Sequence, residues 1–408
     1  AFTEDSSREV FRTREVSAHR HGFAPESALL PSDPRSFQGH RILREYFALP
    51  ERLLFFELRG LARALEGCQA DEIEVIIPLR EGSARLEREF RAGHVELFCV
   101  PVVNLFSKNF SQVIEPGRFS EFHLVPDVNR PLDYEIHSVL GVEGYAESSP
   151  RPVAFRPFFQ FRHGERDAGA FFSVRRQVRM LSAAERADRR APAYQGNEVF
   201  LSLVDRNQAP FPLDLRQIVV EAQCTNRHLP VRLAEGASKW TLEGAIRPPV
   251  DLLVGPTLPS FRPVDGDYAW QLLGLFSLNY LSLVDDREGG AAALRELLRL
   301  HADPDRDWAM RQIDALRHVR TRPIVRPLPS AGGGGSVLAA MVRGLEVTVQ
   351  FEEALFTDRR LFLFGAVLDE LFARYATINS FAETVVRTWP DDREWMRWPH
   401  RLGDRPVL

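Results

Sequence analysis

The stretch "RGLEVTVQFEE", residues 343–353, alternates without a fault: Leu345, Val347, Val349 and Phe351 fall on one side, Glu346, Thr348, Gln350 and Glu352 on the other. Successive strand side chains point to opposite faces, so this pattern predicts a β-strand with one face in a core and the other toward water. Just beyond it, "FGAVLDELFARYATI" (364–378) changes period. Phe364, Val367, Leu368, Leu371, Phe372, Tyr375 and Ile378 form the stripe of an amphipathic helix, with Glu370 and Arg374 paired i to i+4 on its outside. Before it, "TRPIVRPLPSAGGGGSV" (321–337) reads as a strand stiffened by proline and followed by a flexible glycine loop.

Working back along the chain, "YAWQLLGLFSLNYLSLV" (268–284) is apolar nearly all round, which predicts a helix in an interior or between domains. Gln271, Ser277, Asn279 and Ser282 within it argue against a bilayer span. A more amphipathic helix follows in "AAALRELLRLHA" (291–302). The middle half is predominantly β. "EFHLVPD" (121–127), "DYEIHSVLGVEGY" (133–145) and "FRPFFQF" (155–161) are strands separated by Pro-rich turns. "NEVFLSLVD" (197–205) and "RQIVVEAQCTN" (216–226) form a further pair, the second with Ile218, Val220, Ala222 and Cys224 on one face. Nearer the start, Ile42, Leu43, Tyr46 and Phe47 keep helical spacing up to Pro50. "DEIEVIIP" (71–78) and "HVELFCVPVV" (94–103) read as neighbouring strands. Within "FCVPVVNLF" (98–106), alternate side chains are expected to fill a core, Pro101 to end the pairing, and Asn104 to bond local backbone in the turn.

These elements give an α+β, multidomain chain: β-rich modules of sandwich or barrel type, then a helix pair, a strand region and a C-terminal amphipathic helix. The expected borders are an irregular opening segment at 1–39, a first α/β module at 40–145, a β-rich module at 146–260 and a C-terminal module at 261–408. No tandem repeat is present. With 408 residues and 44% hydrophobic content the chain can bury two or three cores. A net charge of −4 gives no support to a nucleic-acid binder. Arg carries almost all the positive charge, with Lys only at 108 and 239, a bias that either genome composition or interface pairing produces. Cys68, Cys99 and Cys224 are odd in number and far apart, so no disulfide framework is implied and a reducing compartment fits. The chain opens on Ala without a signal peptide, which suggests a fragment of a longer protein.

Candidate chemistry is sparse. Gly332 to Gly335 lack the Lys-Ser/Thr pair that completes a phosphate loop and read as a loop alone. Cys224 with His228, and His19 with His21, lack the further ligands that zinc needs, and Cys224 sits on an inward strand face. Asp285 and Asp286 are adjacent, so they do not converge on one substrate and read as a turn. Asn109-Phe110-Ser111 matches a glycosylation triplet without a secretory context. No catalytic, cofactor-binding or metal-binding residue is therefore assigned. What stands out is aromatic and Arg abundance, with 29 Phe, which fits either extensive interfaces or a Phe-rich core.

In order, "GHRILREYFALPERLLFFELRGL", "FCVPVVNLFSK", "RPLDYEIHSV", "CTNRHLP", "LFSLNYLSLVD", "RGLEVTVQFEE" and "FGAVLDELFARYATINSF" resemble the TssF family (also VasA or ImpG) of type VI secretion baseplate subunits. The likeness runs from about residue 25 to the end. It covers the C-terminal two-thirds or so of the family's length, without its long helical N-terminal region. The resemblance implies a structural protein with no catalytic residues and no cofactor. Family members pair with one another and with TssG into wedges, contact TssK and TssE, surround the VgrG hub and support the contractile sheath, as wedge proteins do in phage tails. It further implies a cytoplasmic position docked near the inner membrane, without insertion. Against it stands a β-rich hydrolase or carbohydrate-binding protein, which requires one concave pocket with convergent polar groups.

Overall fold

The computed structural model describes residues 16–30, 36–66, 74, 76, 84–116, 118–158, 169–182, 194–205, 214–233, 240–244, 249–260, 266–276, 291–328, 340–356 and 360–403. Its contacts group the chain into two compact units: residues 1–102 with 270–408, and residues 103–269. The first is discontinuous, with the second inserted in it. The expected border at 145/146 falls inside a hairpin, because β5 (Glu135–Ala146) and β6 (Ser149–Pro157) pair antiparallel in one sheet.

In chain order the first unit opens with β1 (Ser17–Arg20), α1 (Gln38–Ala48), β2 (Phe56–Arg59), α2 (Leu61–Ala64) and α3 (Ala84–Glu89). Helix α1 forms where the sequence places it, with Ile42, Leu43, Tyr46 and Phe47 buried, and Pro50 follows at the start of a 3-10 turn. The segment 95–103 is not a strand. Phe98 takes a left-handed φ of 58° and is 97% exposed, and Leu97, Val100 and Val102 are exposed beside it. A core-filling strand is thus replaced by an irregular apolar surface segment. Asn104 serves a distant partner, its Oδ1 accepting from Asn226 N at 3.2 Å. Most of "DEIEVIIP" lies outside the described residues.

The inserted unit is one seven-stranded sheet in the order β3-β9-β5-β6-β7-β8-β4. Here β3 is Phe106–Val113, β4 Phe122–Leu124, β7 Ala170–Val178, β8 Asn197–Asp205 and β9 Leu215–Thr225. Ile218, Val220, Ala222 and Cys224 are fully buried, as their alternation predicts. The strands "NEVFLSLVD" and "RQIVVEAQCTN" do not pair with each other: β8 lies between β7 and β4, and β9 between β3 and β5. Among the described residues the two terminal strands are linked by the Gln112 side chain. Gln112 on β3 donates from Nε2 to His123 O at 2.7 Å and accepts at Oε1 from Val125 N at 3.4 Å. An amide thus replaces the missing ladder and brings the sheet close to a closed barrel.

Next along the chain come α4 (Gly266–Phe276), which begins in the last residues of the inserted unit, α5 (Ala292–His301), α6 (Asp307–Asp314), β10 (Leu316–Leu328), β11 (Ala340–Phe351), α7 (Leu361–Tyr375), β12 (Phe381–Thr388), β13 (Glu394–Arg397) and β14 (Arg401–Leu402). The sheet order is β10-β11-β12-β13, with β14 also on β12. β11 and β12 are parallel, which requires a crossover, and α7 supplies it. One core joins the sheet, α7, α1, α5 and α6: Phe364 lies 5.6 Å from Phe351 and 5.5 Å from Tyr46, ring centre to ring centre. Buried on both sides, α7 is enclosed nearly all round and not amphipathic, and Ile378 lies exposed beyond its end. Helix α4 is the reverse case. Apolar all round, it nevertheless exposes Trp270 and Leu273. Among the described residues no helix is long and apolar enough to cross a membrane.

Candidate interaction surface

Alternation in β11 does put Val347, Val349 and Phe351 in the core, but the opposite face is not a simple solvated one. Glu346 and Gln350 are buried there, as is Glu383 on the adjacent β12. Parallel pairing sets Glu346 directly beside Glu383, and two neighbouring carboxylates repel unless cations stand between them. Three arginines do so. Arg322 Nη2 meets Glu346 Oε1 at 3.0 Å, Arg326 forks onto both Glu383 oxygens at 3.1 and 3.2 Å, and Arg397 Nη1 bonds Glu346 Oε2 at 2.9 Å and also Glu383. Donation from Arg326 and Arg397 holds the Glu383 carboxyl below its usual range against the opposing cost of burial. The result is a sheet face built of embedded carboxylates under a layer of guanidinium groups.

Two further polar networks lie inside the same unit. Glu45 of α1 accepts from Arg41 at 3.0 Å and forms an ion pair with Arg52 at 2.8 Å, while Arg41 and Arg52 also donate to the carbonyls of Gly22 and Phe23. This staples the segment after β1 onto α1. On α7, Asp369 is fully buried; Arg401 Nε lies 2.8 Å from its Oδ2, yet neither carboxylate oxygen has a well-aligned donor. Burial therefore wins over Arg401 and raises Asp369 to about 6. Next to it Glu370 pairs with Arg374 at 3.0 Å, as the sequence spacing implies, but the pair is buried and shared with Arg401, not outside.

None of these arrangements presents a nucleophile to a base. Cys224 is enclosed in the barrel, and burial pushes its thiol up to about 11 despite nearby Lys108. His228 caps the turn after β9, its pKa lowered by burial and by Arg232 and Arg227. Tyr46 and Tyr194 are pushed up by burial and tied to Gln312 and Glu135 at 2.6 Å each. Among the described residues no group of His, Cys, Asp and Glu could hold a metal ion. Gly332 to Gly335, Asp285, Asp286 and Cys68 lie outside the described residues. The guanidinium layer was not anticipated from the sequence, although its signal was present: from Ala315 to Leu345 the chain has five arginines and no acidic residue.

The family model "Type VI secretion system, TssF" matches residues 2–405. The Type VI secretion system component TssF1 of Pseudomonas aeruginosa PAO1 is 43% identical over 404 residues, covering 98% of this chain and 64% of the relative. This chain therefore spans just under two thirds of that relative's length. Among solved structures, a chain of the TssK-TssF-TssG baseplate subcomplex determined by cryo-electron microscopy superposes with a TM-score of 0.68 at 25% identity, over 96% of this chain and 68% of that one. With the family model covering nearly every residue, the chain belongs to the TssF family of type VI secretion system proteins.

Proposed function

We propose that the chain is a structural subunit of a type VI secretion baseplate, binding proteins of the TssG and TssK kinds. The observation that carries this reading is the likeness along 96% of the chain to a member of a TssK-TssF-TssG baseplate subcomplex. In this reading it also pairs with a second copy, contacts TssE and the VgrG hub, and forms wedges on which the contractile sheath polymerises. It works in the cytoplasm, docked near the inner membrane, and has no catalytic role. The interior suits such service: both cores are continuous and the charged groups inside the first unit are cross-linked, so each unit can keep its shape while interfaces shift. A hydrolase would need an accessible displaced carboxylate, whereas Asp369 is fully enclosed.

The test is co-expression with TssG and TssK homologues. Stable co-purification through interfaces above about 2,000 Å² is expected. Recovery of the free subunit alone, under conditions where the homologues are folded, overturns the reading.

A further inference from the structure

The acid-free stretch from Ala315 to Leu345 contrasts with a chain whose net charge is −4. It forms β10 and the start of β11, and β12 joins β11 only from Leu345 onward. Beyond that point β10 and β11 run on as a two-stranded ribbon, from Ile324 opposite Gly344 to Leu328 opposite Ala340. By strand alternation Arg320, Arg322 and Arg326 share one face of β10, the face on which Glu346 lies across from Arg322. The two glutamates beneath are consumed by their partners and buried. The guanidinium groups are not: the Arg322 side chain is 69% exposed and that of Arg326 41%. A guanidinium has five N–H donors, and Arg322 spends one on Glu346. Arg320 is exposed and has no ion pair among the described residues.

We propose that this arginine face of β10 is a docking surface for an acidic surface of a partner protein. Three observations fix that occupant. The stretch offers positive charge with no acidic residue of its own, so complementarity calls for carboxylates. The buried glutamates hold two of the arginines in place before binding, which lowers the ordering cost of engaging a fixed protein surface. And β10 is an edge strand interrupted by Pro323 and Pro327, a poor template for an added strand, so recognition goes through side chains. β10 has no Phe, Trp or Tyr to seat in a bilayer interface, and the acidic chain as a whole repels nucleic acid. The inference rests on the baseplate reading for the existence of a neighbouring protein, but its test uses the chain alone.

The full chain is titrated with a fluorescent poly-glutamate peptide, a DNA duplex, and vesicles containing anionic lipid, at about 0.05 M and about 0.5 M salt. Binding of poly-glutamate that exceeds both other probes and fades at high salt is expected. Arg320→Glu, which breaks no ion pair seen among the described residues, weakens it about fivefold or more. Arg343→Glu on the opposite ribbon face changes it by less than about twofold. Equal losses in the two variants reduce the effect to net charge and overturn the proposal, as do absent poly-glutamate binding or tighter binding of duplex or vesicles. Unchanged melting curves certify that both variants are folded. Because no baseplate protein is present, a negative result here leaves the co-purification test standing, and the converse also holds.

Discussion

Replacing Asp369 by Asn should stabilise the protein at pH 8, although it removes one half of an ion pair. Asp369 lies at 0% exposure on α7, close to Arg401 but without aligned donors, and burial lifts its pKa from 3.8 to about 6. The folded state therefore binds the proton more tightly than the unfolded chain does. The contribution of this group is most favourable below about pH 4, falls as pH rises through about 6, and is constant above that. A shift of this size corresponds to about 3 kcal/mol as an upper figure. Asn keeps the shape and cannot ionise, and Arg401 retains Glu370. Urea unfolding followed by tryptophan fluorescence, with Trp398 reporting from the same core, should show Asp369→Asn more stable by about 1–3 kcal/mol at pH 8. The gap should close toward pH 4. A variant that is less stable at pH 8, or a gap that does not vary with pH, would mean that the Arg401 attraction outweighs desolvation and would refute the argument.

Three other outcomes are expected. Gln112→Ala removes both bonds that join β3 to β4; a loss of about 1–2 kcal/mol and faster hydrogen exchange at Val125 N should follow, measured by exchange mass spectrometry. Gly365→Ala would put a methyl 2.5 Å from the Trp398 ring inside the first unit's core, costing about 1–3 kcal/mol in denaturation, with partial recovery when Trp398 is made Leu. In a Cys68→Ser, Cys99→Ser background the remaining thiol, Cys224, should be silent to Ellman's reagent at neutral pH until denaturant is added.

Elements with one buried face were legible in the sequence. β9 and α1 show their burial as strict period because one side of each meets an apolar core. β12 was missed for the opposite reason: it is a central strand buried on both faces, with all but one residue enclosed, so "FAETVVRT" has no alternation to read. The same enclosure made α7 look amphipathic when its polar residues are in fact internal ion pairs. Residues 95–103 misled because apolar alternation is a signature of burial only where a partner surface exists, and Phe98 has none among the described residues. The guanidinium layer stayed hidden in another way. Glu346 and its partner Arg397 are 51 positions apart, and only strand pairing reveals that they meet.

The packing of α1 against elements near the far end of the chain has a consequence for synthesis. Tyr46 finds its hydroxyl partner Gln312 across 266 positions, and its stacking partner Phe364 later still. At about 5–20 residues per second, a ribosome leaves the greasy stripe of Ile42, Leu43, Tyr46 and Phe47 without its full set of mates for roughly 15–65 seconds. The inserted barrel, whose pairings close within residues 106–225, can fold during that wait. Nascent chains released before α7 emerges should therefore carry a finished barrel and a sticky, orphaned helix, which makes them clients for chaperones and proteases.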